Sequence, residues 1–169
     1  KEDRNKYGVF PLKGKLMNVL DINQSKLNSN AEIANIKKIM GLESNQTYKD
    51  IDEVHKRLRY GKVLFMTDQD LDGAHIKGLC LNLFHSQWHD LIKMKSFLGF
   101  MNTPIIKATK GSSVKSFYYE KEYEDWKKKN NDGKGWKIKY YKGLGTSCAK
   151  EFKEYFKNKK EVCFKWSGE

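Results

Sequence analysis

The sequence predicts an α/β fold, a sheet of short buried strands with helices packed against it, and three observations carry that prediction. Four apolar residues, Val63 to Met66, read as a buried strand and run straight into Asp68-Gln-Asp70-Leu-Asp72-Gly73. Ile76, Leu79, Cys80, Leu83 and Phe84 then fall at i, i+3, i+4, i+7 and i+8, the stripe of a helix lying on a sheet. A second strand–turn–helix unit follows near the end of the chain. There Trp136 to Tyr141 alternate, Lys142-Gly143-Leu-Gly145-Thr-Ser147 turns, and Ala149, Phe152, Tyr155 and Phe156 recur at helical spacing.

Taken in order, residues 1–10 are charged before Tyr7 to Phe10 turn apolar and lead into Pro11-Leu-Lys13-Gly14-Lys15-Leu-Met-Asn18. Gly14 between two lysines lets backbone approach a phosphate closely, and Asn18 adds a neutral donor; an exposed turn with ordinary surface lysines accounts for the same letters. Residues 23–30 read as a polar connector. Ser29-Asn-Ala-Glu32 has capping-box spacing ahead of Ile33, Ile36, Ile39 and Met40, with Gly41 placed to end that helix. Residues 43–52 are a second connector, and Ile51 to Leu58 a short helix turning Val54 and Leu58 inward. Trp88 to Phe100 reads as apolar and irregular. Thr103 to Ala108 and Val114 to Tyr119 form a hairpin around Lys110-Gly-Ser-Ser113, with Pro104 at the strand start where proline is tolerated. Tyr123 to Lys129 is expected to be helical, and Val162 to Trp166 a last short strand.

The length of 169 residues fits one domain, or one with a small appendage. Lys and Arg number 33 against 21 Asp and Glu, a net charge of +12, which points to a polyanionic partner, nucleic acid before membrane surface. Three cysteines without CxxC spacing argue against a disulfide framework or zinc knuckle and for a reducing compartment. No run nears the about 18 apolar residues of a membrane span, and no signal-peptide pattern opens the chain.

Along an extended chain, side chains at i, i+2 and i+4 share one side, about 7 Å from each to the next. Asp68, Asp70 and Asp72 on one side at a strand end would repel one another unless a hard cation neutralised them. Oxygen ligands of that charge density suit Mg²⁺, with Ca²⁺ or Mn²⁺ as substitutes. The same letters begin an EF-hand loop, but its twelfth position is Leu79 instead of the required Glu, and a strand precedes it where a helix should. His75, in the first turn of the following helix, either donates to a phosphate or caps. His85 and His89 have zinc-protease spacing, yet Ser86 replaces the glutamate that chemistry needs. The Lys142 turn is not a Walker loop, because its lysine precedes the glycines; its amides and the helix behind it still face an anion.

Pro11-Leu-Lys-Gly-Lys15, Thr67-Asp-Gln-Asp-Leu-Asp-Gly73 with His75-Ile-Lys77, and Lys139-Tyr-Tyr-Lys-Gly-Leu-Gly-Thr-Ser147 together resemble eukaryotic type IIA DNA topoisomerases, in the toprim region of their DNA breakage–reunion core. Lys37-Lys-Ile-Met-Gly-Leu42, Leu58-Arg-Tyr-Gly61 and Thr103-Pro-Ile-Ile-Lys107 extend the resemblance over nearly all of the chain. It implies a toprim, Rossmann-like sheet with helices on both faces and a small β-rich insertion around residues 103–135. The toprim domain would occupy residues 1–160, and residues 161–169 would start the linker to a winged-helix domain. The first strand, carrying a Glu-Gly-Asp-Ser-Ala motif, is expected to precede Lys1, and the nucleophilic tyrosine to follow Glu169, so that this stretch alone is inactive.

The resemblance assigns Asp68, Asp70 and Asp72 as the catalytic Mg²⁺ ligands. It places Lys13, Gly14, Lys15, Asn18 and His75, with Lys142, Gly143 and Gly145, against double-stranded DNA. It implies a homodimeric, ATP-dependent nuclear enzyme whose ATP site lies in another domain, with no membrane partner. Lys13 stands where that family carries Arg, exchanging a planar fork for a point charge. Ala74 replaces its usual Ser. Two other readings are another toprim phosphotransferase, primase or nuclease-like, and a non-catalytic basic DNA-binding module whose aspartates merely organise a loop.

Overall fold

The computed structural model describes residues 5–168, which form two compact units. The first unit comprises Lys1–Phe65, Ala74–Phe100 and Glu161–Glu169; the second comprises Met66–Gly73 and Met101–Lys160.

The first unit begins with helix α1 (Gln24–Ser29), in the stretch read from sequence as a connector. Asn23 caps it by accepting the Lys26 N–H, and Leu27 is 1 % exposed. A helix of six residues does not stand alone. Burial of Leu27, worth roughly 1.5–3 kcal/mol, holds it. Helix α2 (Ala31–Met40) starts one residue later than the Ser29 capping box predicts. Its cap is Asn30, whose Oδ1 takes the Ile33 N–H at 3.0 Å, while Ser29 Oγ donates to the Lys26 carbonyl within α1. Glu32, the expected capping-box partner, instead accepts the Lys13 N–H at 2.9 Å. Gly41 ends α2 at φ 77°, the left-handed geometry that favours glycine. Helix α3 (Ile51–Arg57) is capped by Asp50 and buries Val54, with Leu58 following it inward.

Strand β1 (Val63–Phe65) is joined to strand β2 (Leu98–Asn102) through helices α4 (Leu71–Gln87) and α5 (His89–Lys93). β2 pairs parallel with β1, Val63 opposite Leu98 and Phe65 opposite Phe100. Such a pair needs a crossover of this length. β2 begins in the Trp88 to Phe100 stretch expected to be irregular and is the middle strand of the sheet, with β6 (Lys160–Cys163) on its other side. The final strand thus begins two residues before its predicted start. Its bond onward runs from the Phe164 N–H to the Leu98 carbonyl at 2.9 Å. The core centres on Phe84, whose ring meets Phe65, Trp88 and Phe97, and Trp88 donates its indole N–H to the Glu43 carbonyl.

The second unit holds a separate antiparallel sheet in the order β4-β3-β5. β3 (Ile106–Lys110) and β4 (Ser113–Phe117) make the predicted hairpin, turning at Gly111 with φ 58°. β5 (Lys137–Tyr140) pairs with β3 from the other edge. Ile106, Ala108 and Phe117 face helix α6 (Glu120–Lys129), where Tyr123 and Trp126 close a small aromatic core. Helix α7 (Ala149–Lys157) follows the glycine-rich turn. Among the described residues, no helix is long and apolar enough to cross a membrane.

Candidate functional site

The acidic stretch leaves β1 through Met66 and Thr67 without strand geometry, bends at Gln69 and Asp70, and becomes helical at Leu71. The expected alternation of three aspartates along one side of an extended chain is therefore not formed. Asp70 sits just before α4, and its Oδ1 accepts the N–H of Gly73, three residues on, at 2.7 Å, which is an N-cap bond. Asp72 lies in the first turn of α4, where a carboxylate meets the positive end of the helix dipole. Asp68, half-buried, turns toward the glycine-rich turn, and its Oδ1 accepts the Leu144 N–H at 2.7 Å. Both motifs belong to the second unit. The turn expected to present its amides to an external anion thus spends one of them on the carboxylate of Asp68.

Two glycines make this seat possible. A Cβ at Gly143 would stand 2.7 Å from Asp68 Oδ2 and 2.9 Å from its Cγ. A Cβ at Gly73 would stand 1.9 Å from the Asp68 carbonyl oxygen, so the first turn of α4 lies directly on the chain that leaves β1. Gly73 was visible as the glycine closing the acidic motif, but sequence assigned it no task. The Leu144 contribution is a backbone N–H, which no residue letter announces. Gly145, by contrast, is exposed, and a side chain there would meet nothing within 4 Å.

Thr67, at 7 % exposure, holds its Oγ1 buried without a hydrogen-bond partner among the described residues, next to Asp68 in the chain. An orphaned polar atom of this kind ordinarily has a water or ligand oxygen to satisfy it. Among the described residues, no group of three or more His, Cys, Asp or Glu is placed to hold a metal ion, so a three-carboxylate cage is not what the fold builds. Mg²⁺ makes a smaller demand: one or two carboxylates, the remaining positions going to water and substrate phosphate. A carboxylate has about four lone-pair sites. Asp68 and Asp70 each use one on a backbone N–H and keep the rest, so this donor set fits such an ion.

The other predicted residues lie on both units. Lys13, Gly14, Lys15 and Asn18 are exposed in the first unit, and Gly14 has φ 153°, a conformation that favours glycine. Asn18 uses its Oδ1 as an acceptor, from the Leu20 N–H and from Asn82 Nδ2, which leaves its own amide group to donate. His75 is exposed as the fifth residue of α4, one turn further in than the first-turn position expected from sequence. Lys142 is exposed at the start of the glycine-rich turn, in the second unit. His85 and His89, whose ring centroids lie 4.7 Å apart, pack against Trp166 and gather no third ligand among the described residues.

A stronger electrostatic feature stands beside the turn. Glu151 on α7 accepts from Tyr141, from the Cys148 N–H at 2.9 Å and from Lys139 at 3.1 Å, with Lys107 at 3.7 Å. Burial, the largest single influence, pushes its pKa up; the hydrogen bonds from Tyr141, Cys148 and Lys139 and the charge of Lys107 together outweigh it and hold the group at about 2. Tyr141 is pushed far above the ordinary tyrosine range by burial and by that carboxylate. Sequence reading passed over Glu151, because the four groups converge only once β3, β5 and α7 are assembled.

Comparison with known proteins agrees with this architecture. The chain matches the Toprim domain over residues 2–97 and the C-terminal associated domain of TOPRIM over residues 101–169. It is 54 % identical over 168 residues to a DNA topoisomerase 2 of Plasmodium falciparum, covering 98 % of this chain and 12 % of that protein. It is 51 % identical to DNA topoisomerase 2-alpha of Rattus norvegicus and 50 % to DNA topoisomerase 2-beta of Homo sapiens, covering 98 % of this chain and 11 % and 10 % of theirs. The crystal structure of the Plasmodium falciparum topoisomerase II DNA-binding, cleavage and re-ligation domain is similar with a TM-score of 0.86 and 54 % identity, over 98 % of this chain and 22 % of that one. The chain thus spans about a tenth of the length of the curated relatives it matches. With the Toprim match covering more than half of its residues, and the acidic and glycine-rich motifs joined through Asp68, the chain belongs to the Toprim domain family.

Proposed function

We propose that this chain is the toprim part of a type II DNA topoisomerase, an ATP-dependent, homodimeric nuclear enzyme that passes one DNA duplex through a transient break in another. The observation that carries the reading is the seat of Asp68, held by the Leu144 N–H and lodged against Gly143, which joins the two motifs into one site. In this reading Asp68 and Asp70 hold a divalent cation, Mg²⁺ with Mn²⁺ or Ca²⁺ as substitutes, and Asp72 adds negative charge from the first turn of α4. Such an ion, when bound, stabilises charge on an attacked phosphate and on its departing oxygen. Leu144 and Gly143 fix the direction of the Asp68 carboxylate beforehand, so no reorientation is needed at the moment of reaction. Lys13, Lys15 and Lys142 neutralise phosphates, Gly14, Gly143 and Gly145 allow close backbone approach, and Asn18 and His75 donate to backbone oxygens.

The competing reading is a basic module whose aspartates only organise a loop, and the bond from the Gly73 N–H to Asp70 is the observation in its favour. Titration of Mg²⁺ by calorimetry, with a short duplex present, separates the two. Asn serves as well as Asp at an N-cap and can still accept the Leu144 N–H. The Asp68→Asn, Asp70→Asn double variant should therefore fold yet lose saturable Mg²⁺ binding. An unchanged titration, or none in the unaltered chain, rejects the metal site.

A further inference from the structure

The sheet of the second unit has two unlike faces. Strand alternation sends Ile106, Ala108, Phe117 and Ile138 toward α6, and sends Lys107, Thr109, Val114, Lys137 and Lys139 to the opposite face. That second face, with Tyr141 and the first turns of α7, lines a groove of about 410 Å³. Four lysines border it, Lys107, Lys137, Lys139 and Lys150, against two carboxylates, Glu151 and Glu154.

This charge arrangement opposes local stability in two places. Lys107 and Lys139 stand directly opposite each other on paired strands, where like charges destabilise. Lys150 occupies the second position of α7, where a cation meets the positive end of the helix dipole. The carboxylates offset only half of the set. Lys107 is paired with Glu151 and Glu154, at 3.7 and 3.4 Å, and Lys139 with Glu151 at 3.1 Å. Lys137 and Lys150 line the same groove and make no ion pair among the described residues. A fold that concentrates cations against its own local preferences, and leaves two of them over, is arranged for an anion from outside.

We infer that this groove binds phosphate groups, with Lys137 and Lys150 as the ligating cations and the Glu151-linked pair of Lys107 and Lys139 as a fixed, electrically balanced floor. Lysine ammonium groups act as compact point charges for phosphate oxygens. The phosphates come either from a nucleic-acid backbone or from free inorganic or pyrophosphate anions. The site rests on residues outside the acidic loop, so failure of the Mg²⁺ titration above would leave it standing.

Cys148, exposed in the groove wall, provides the readout. Cys163 is exposed on the first unit and serves as the control, while Cys80 is fully buried, its thiol pushed up to about 12 by burial, and stays silent. The experiment follows iodoacetamide alkylation of the 169-residue chain by peptide mapping, with and without a duplex oligonucleotide, inorganic phosphate or pyrophosphate. Near saturation the bound phosphates should slow alkylation of Cys148 about fivefold, the fraction left free setting the rate, and leave Cys163 unchanged. The Lys137→Ala, Lys150→Ala double variant should lose that protection while its circular dichroism is unaltered. Protection by the oligonucleotide alone identifies a nucleic-acid backbone, and protection by the small anions identifies a free-phosphate site. No protection by any probe, equal slowing at Cys163, or protection that survives the double variant overturns the inference.

Discussion

A methyl group on Gly143 would lie 2.7 Å from Asp68 Oδ2, closer than a side-chain carbon comes to any neighbour without something moving. Gly143→Ala should turn the Asp68 carboxylate out of its seat and weaken Mg²⁺ binding about tenfold, equivalent to ~1.4 kcal/mol. Gly145→Ala, with open space around it, should change affinity little. Calorimetric titration of both variants checks this, and equal losses would reject the steric argument. Glu151 makes a second prediction at the same scale. Its pKa is lowered from the ordinary 4.5 to about 2, so its ionised form stabilises the fold fully above about pH 4.5. That stability drains as pH falls toward 2. Discounted for solvent screening, it amounts to about 1–3 kcal/mol. The urea midpoint of the chain should fall through that window, and Glu151→Gln should flatten the fall; parallel curves for the two proteins would contradict it.

Among the elements, the helix starts test how far spacing alone can be read. Ser-x-x-Glu at Ser29 has the letters of a capping box, but α1 takes Ser29 as its last residue and hands the cap to Asn30. Asn30→Ala should cost about 1 kcal/mol and Ser29→Ala under about 0.5 kcal/mol, read as shifts in urea midpoint. The reverse order would restore the sequence reading. Strand β2 escaped that reading because a strand buried in mid-sheet shows no polar alternation, and Leu98 to Asn102 look like any short apolar run. The hairpin of β3 and β4 was legible because its turn residues are local: Gly111 supplies the positive φ, and each strand pattern is read within five residues.

For the whole chain, a charge of +12 and lysines placed in both units favour association with a polyanion. If Lys13, Lys15 and Lys142 each neutralise one phosphate of duplex DNA, the logarithm of affinity should fall with the logarithm of salt at a slope of about −3 or steeper. Fluorescence anisotropy of a labelled duplex at several salt concentrations measures it. Occupancy of the lysine groove by the same DNA would steepen the slope by about 2 more. A slope near zero would remove backbone phosphates from the account.

The α/β class, the strand before the acidic loop, the helix stripe from Ile76 to Phe84 and the membership of Asp68, Asp70, Gly143 and Gly145 in two motifs are legible in the order of the residues. All of these are written in the spacing of neighbouring residues, because helix and strand periods act over a few positions. It takes the assembled fold to seat Asp68 on the glycine-rich turn, to make Asp70 the cap of α4, and to gather Lys107, Lys139 and Tyr141 around Glu151. Asp68 and Leu144 are 76 residues apart, and one partner is a backbone N–H common to nearly every residue type. A contact of that kind exists only where chain paths cross.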